Sequence, residues 1–185
     1  MTSQVFWHNR AVTYFVLTLV FGVFYTLNNV LTAPLLLAPG AHLIHLPSGI
    51  KFLLVLVFGL VGALSVFTVS LCAALAFYFT GNPALAFELA VANGLAPWLT
   101  VCFFTDQGLL QAGLQNMNWK ILSAMGLMYA VLNSSMNQLL LYWNHVIDNM
   151  LDGLQIMFVG DVSGVLLVMG LIRLLLYIYK TKTPG

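Results

Sequence analysis

The chain has 185 residues, 61% of them apolar and 6% charged, with a formal net charge of +1 and a mean hydropathy of +0.98. Soluble domains carry about 25% charge, so this composition excludes a soluble catalytic or nucleotide-binding domain; the few, scattered basic residues exclude a nucleic-acid surface. At roughly 20 apolar residues per crossing, the length accommodates about five to seven transmembrane helices and little else.

Residues 1–11 read as a short cytoplasmic tail. MTSQVFWHNR carries a single Arg10 and no cleavage pattern follows it, so the apolar run at 12–32 is expected as an uncleaved first span. Pro34 and Pro39-Gly40 end that span. A mixed segment at 38–51 then carries His42, His45, Pro47, Ser48, Gly49 and Lys51. From 52 to 79 the chain is continuously apolar, and as one helix it would measure roughly 42 Å, more than one crossing and less than two. Either a single tilted helix fills it, or the chain breaks at Gly59–Gly62. In the second case one helix crosses at about 41–59 and another at about 61–79.

The next span, 83–104, opens on an Asn82 N-cap with Pro83 at the first helical position. A Gln/Asn-rich loop covers 105–118, and a span bracketed by Trp119 and Trp143 follows. The stretch 145–160 is expected as an interfacial turn or loop, because it is too polar to cross. The last span is expected at 161–179, with a cytoplasmic tail at 180–185. Arg10, Lys180 and Lys182 flank the first and last spans, so the positive-inside rule favours six crossings with both termini in the cytoplasm. Five crossings would leave the C-terminal lysines outside. On the six-crossing layout HLPSGIK (45–51), TGNP (80–83) and GDVSG (160–164) face outward together.

Few residues invite chemistry. Glu88 is the one acid well inside an expected span, and it reads either as functional or as a protonated group bonded to a neighbouring helix. Asn133, Ser134, Ser135, Asn137 and Gln138 form the densest polar cluster, with Asn133 and Asn137 on one helix face. Such amides either bridge helices or line a polar cavity, to which Asn28 and Asn29 would contribute. Lys51, Asn82 and Asp161 complete an expected outer-face ligand or partner site with Glu88 just below. His42 and His45 are two ligands without a third, so no metal or haem site is expected, and no other cofactor. Cys72 and Cys102 read as small core groups without a disulfide. Ala86-x-x-x-Ala90-x-x-x-Gly94 and Gly160-x-x-x-Gly164 read as packing seams. There is no nucleophile–base pair and no phosphate-binding glycine loop, so no enzyme is expected.

The order of the polar interruptions resembles the first-described family of bacterial membrane-associated sensor domains, the MASE type. The likeness runs over about 45–175. It rests on Pro47-Ser48-Gly49 with Phe58-Gly59, on Thr80-Gly81-Asn82-Pro83, on Asn93-Gly94-Leu95-Ala96-Pro97-Trp98, and on Gly160-Asp161-Val162-Ser163-Gly164-Val165-Leu166-Leu167. The resemblance implies a polytopic helical bundle of the bacterial inner membrane that senses a stimulus. The chain departs from the family in being shorter and in ending without an output domain, so signalling would have to pass to a separate membrane partner or within a homo-oligomer. Two other readings stay open. One is a small-molecule binding or transport subunit, since substrate-binding subunits of vitamin transporters have similar length and helix number. The other is a structural subunit of a larger membrane complex.

Overall fold

The computed structural model describes residues 9–32, 36–38, 41–42 and 45–182, with residues 29, 31–32, 36–38, 41–42, 112 and 175–182 described by their backbone alone. Within them the chain forms six α-helices and one short two-stranded ribbon. Four helical segments are long and apolar enough to cross a membrane: Arg10–Asn28, Leu60–Tyr78, Pro83–Asp106 and Met150–Leu174. The protein is a membrane-embedded helical bundle.

Helix α1, Arg10–Thr32, starts where the Asn9 side chain accepts hydrogen bonds from the Ala11 and Val12 amides. It turns Leu17, Phe21 and Asn28 inward. Phe15, Leu19, Val23 and Leu27, spaced four apart, lie on the outside. Burial therefore has a helical period, with large apolar side chains on the outer face as well as the inner, as expected where the surrounding solvent is lipid. Strands β1, Leu36–Ala38, and β2, Ala41–His42, pair antiparallel.

Helix α2 spans Leu46–Phe58 and α3 spans Leu60–Ala73, so the 52–79 run is broken at Gly59. Gly59 sits at φ +57° and ψ −129°, a conformation open essentially to glycine. In one continuous helix Leu54 and Gly62 would be about 12 Å apart. Here a Cβ on Gly62 would overlap the Leu54 carbonyl, so the chain folds back on itself. The two arms share a core of Leu54, Val55, Ala63 and Val66, against which Leu17 and Phe21 of α1 pack. Beyond α3, Ala74–Tyr78 continues as a π-helical turn closed by the Phe79 amide on the Ala74 carbonyl at 2.7 Å.

Helix α4, Pro83–Asp106, opens on the Asn82 cap, which accepts from the Leu85 amide at 3.1 Å. Its small-residue stripe packs closely: Ala86 and Ala90 are fully buried, and a Cβ on Gly94 would lie 2.9 Å from the Ala63 carbonyl of α3. Helix α5, Trp119–Trp143, is capped by Asn118. It buries Met125, Tyr129, Asn133, Asn137 and Leu141 along one face at every fourth residue. The ring of Tyr129 stacks on Phe52 of α2 with centroids 5.5 Å apart. Cys72 is exposed and Cys102 half-buried, so neither is the core group expected from the sequence.

Helix α6 runs over Met150–Lys182 and corrects the sequence reading at its start. The stretch expected as a loop to residue 160 is helical from Met150. Asn149 accepts from the Leu151 amide and donates to the Asp152 carboxylate, so the polar residues that argued against a crossing instead start the helix. At 33 residues, α6 is about 50 Å long, and its first turns extend beyond what one hydrocarbon layer requires. Asp161 accordingly lies inside the bundle, about 17 Å along α6, and not at the outer end of a span.

Candidate functional site: a buried polar junction beside a cavity

The first turn of α2 is built against the middle of α6. The His45 amide donates to the Gly160 carbonyl at 3.3 Å. A Cβ on Gly164 would overlap the His45 carbonyl, and one on Gly49 would overlap the Gly164 carbonyl. Only glycine at these positions lets the two backbones come this close. The Pro-Ser-Gly turn and the Gly-Asp-x-x-Gly segment, more than a hundred residues apart in sequence, are two sides of one contact.

That contact places Ser48 over Asp161. The Ser48 hydroxyl donates to Asp161 Oδ1, and Asn133 Nδ2 donates to Asp161 Oδ2 at 2.7 Å, so both carboxylate oxygens are satisfied by side chains from two other helices. Asp161 is 1% exposed. A carboxylate inside a membrane bundle is costly unless paired and hydrogen-bonded, and here it is held by a hydroxyl and a side-chain amide together.

One turn further along α2, Lys51 is 3% exposed. Its ammonium donates to Asn93 Oδ1 of α4 at 2.7 Å and is attracted by the Asp161 charge. Asn137 Nδ2 returns to the Asn133 carbonyl at 2.8 Å, completing a network that ties α2, α4, α5 and α6. Breaking one member of such a network leaves its partners buried and unpaired, which costs more than the bond itself is worth.

Beside the network lies a cavity of about 80 Å³, bordered by Lys51, Asn93, Asn137, Gln138, Tyr25 and Tyr78 among others. A water needs on the order of 10–15 Å³ on this measure, so the space suits several waters or one small polar molecule. Gln138 is 2% exposed, and its side-chain oxygen is buried without a hydrogen-bond partner among the described residues. That oxygen packs against Gly153 of α6, where an added Cβ would overlap it.

Of the six site candidates read from the sequence, the structure brings Lys51, Asn133, Asn137 and Asp161 together. Asn82 and Glu88 lie elsewhere. Asn82 caps α4, and Glu88 is exposed, accepting a hydrogen bond from Asn144 at 3.1 Å. The turn residues Pro47, Ser48 and Gly49 stand with Gly160 and Gly164 at the α2–α6 contact, all buried. Asn28 is buried at 3%, whereas the side chains of Asn29 and His42 fall outside the described residues. Among the described residues no group of three His, Cys, Asp or Glu side chains gathers. Sequence reading passed over Asn93 as a site residue. Its signal was a lone amide in the apolar 84–97 stretch, one residue before the glycine of a packing seam, and the nearby Glu88 drew attention from it.

Comparison with protein families, with curated proteins and with solved structures finds no match to this chain. The functional argument therefore stands on the geometry.

Proposed function

We propose that the chain is a non-enzymatic sensor or accessory subunit of the bacterial inner membrane. In this reading it binds a small polar molecule between its helices and passes the outcome to a membrane-protein partner by helix contact. One observation carries it: three of the four polar interruptions that define the MASE-type resemblance meet beside the cavity, as Ser48 with Asp161 and Lys51 with Asn93. The network and the cavity share Lys51, Asn93 and Asn137. Arg10, Lys180 and Lys182 at the helix ends expected inside support cytoplasmic termini; the reversal at Gly59 separates α2 from α3, but the 13 residues of α2 rise only about 20 Å, short of the crossing expected at 41–59.

Two experiments test these parts. Purification in mild detergent is expected to retain a stoichiometric membrane partner, and isolation of the chain free of any partner counts against the accessory role. Cysteines placed at the two termini are expected to be labelled from the same side of inverted vesicles, and opposite accessibility overturns the six-crossing topology. A small-molecule transport subunit is the second reading, favoured by the same cavity. It differs in predicting that the chain with its substrate suffices for uptake into vesicles.

A further inference from the structure

Two voids meet where α1 packs on the second half of α3. One is the internal cavity. The other is a groove on the outside of the bundle, between α1 and α3, rimmed by the exposed side chains of Leu19, Val23, Leu27 and Phe77. Tyr25 lines both. Along α3 and its π-helical turn the lining alternates: Ser70, Ala74 and Tyr78 border the cavity, while Val69, Cys72 and Ala76 border the groove. A single helix and the Tyr25 ring therefore separate the lipid from the cavity. The side-chain hydrogen bond between Tyr78 and Tyr25 closes the seam between them.

The two surfaces differ in chemistry. In the groove, Thr26 and Thr68 return their hydroxyls to the Gly22 and Leu64 carbonyls one turn back, which leaves a surface suited to hydrocarbon. In the cavity, Lys51 is 3% exposed and donates one hydrogen bond among the described residues, to Asn93. An ammonium has three donors, and buried donors call for acceptors, so two are left for an occupant. A carbonyl oxygen, with two lone pairs, can take both. Asp161 already opposes the Lys51 charge, and a neutral head adds no uncompensated ion to the bundle. Resting on the ligand-binding reading above and deepening it, we infer that the cavity holds the neutral, carbonyl-bearing head of a membrane-dissolved amphiphile whose apolar tail lies in the α1–α3 groove. The ligand reaches its site from the lipid, between Tyr25 and Tyr78.

Photolabelling of the full chain in lipid nanodiscs tests this, with N-decylacetamide carrying a diazirine in its tail as the probe. Labelling is expected to saturate and to fall on the groove segments 18–27 and 68–77. Unmodified N-decylacetamide is expected to displace the probe. Acetamide, which lacks the tail, and decane, which lacks the head, are expected to do so at least a hundredfold less well, and charged decanoate at least tenfold less well. Ala76→Phe fills the groove from an exposed position and leaves the Asp161 network untouched. It is expected to weaken labelling at least tenfold without lowering the melting temperature. Lys51→Met is expected to weaken it as much, and the paired variant Lys51→Met/Asp161→Asn keeps that result interpretable where the single one unfolds. Acetamide competing as tightly as N-decylacetamide overturns the tail in the groove while leaving a polar ligand cavity in place. Decane or decanoate competing as tightly, or labelling unchanged on loss of Lys51, overturns the neutral carbonyl head. Absence of saturable labelling of folded wild type overturns the inference, whereas retention of a partner in detergent is read separately and decides the accessory role.

Discussion

Glu88 and Asp161 both sit in the interior of long helices, α4 and α6, and their surroundings differ completely. Asp161 is enclosed, with each oxygen bonded and Lys51 close enough to attract it. Glu88 lies on the outside of α4 and holds one hydrogen bond, from Asn144 near the end of α5. In sequence Glu88 seemed the more significant, being the acid surrounded by apolar neighbours. The contrast teaches that the facing of a residue, set by helix packing, decides whether an intramembrane charge joins a site. In α4 the buried face is Leu85, Ala86, Leu89 and Ala90, and Glu88 falls beside exposed Phe87 on the other side. Asp161 falls in line with buried Val165 and Met169.

Substitutions sharpen the contrast. The largest effect is expected from Asp161→Ala, which leaves the Ser48 and Asn133 donors buried without their acceptor and the Lys51 charge without the opposite charge that attracts it. A loss of about 3–5 kcal/mol is expected by thermal unfolding in nanodiscs, and a melting temperature within a few degrees of wild type would show that the junction does not hold the bundle. Asn93→Leu comes next, at about 1.5–3 kcal/mol, because it removes the acceptor of a buried ammonium. Gly164→Ala is expected to cost about 1–3 kcal/mol, since the added methyl meets the His45 backbone, which has no flexible end to move aside. Gly59→Ala has open space around it, so only the positive-φ backbone is penalised, by about 1–3 kcal/mol. Glu88→Gln closes the series, with a change within about 0.5 kcal/mol. If it matched Asp161→Ala, the distinction between the two carboxylates would fail.

Much of the architecture was legible before the structure. Composition identified a membrane bundle, Asn82-Pro83 marked the start of α4, and Gly59–Gly62 was one of two readings for the chain break. The 145–160 stretch was misjudged because Asp148, Asn149 and Asp152 were weighed as obstacles to a crossing, although Asn149 and Asp152 lie where a helix start favours them. For the site, Lys51, Asn133, Asn137 and Asp161 were nameable as polar groups in apolar surroundings. Their assembly was not, because it depends on Gly49 and Gly164 bringing α2 against α6, and nothing in local pattern reveals which seams meet. Hydrophobic periodicity gave no help in α4, where lipid-facing and core-facing residues are equally apolar and the phase of the helix leaves no trace in hydropathy.

The central claim is that Lys51 and Asp161 act as one buried unit. A double-mutant cycle in lipid nanodiscs, comparing Lys51→Met, Asp161→Asn and the two combined, measures this most directly. The combined variant is expected to be more stable than the sum of the single losses allows, by at least about 1 kcal/mol, because neither charge is left alone. Losses that simply add, to within about 0.5 kcal/mol, would contradict the account.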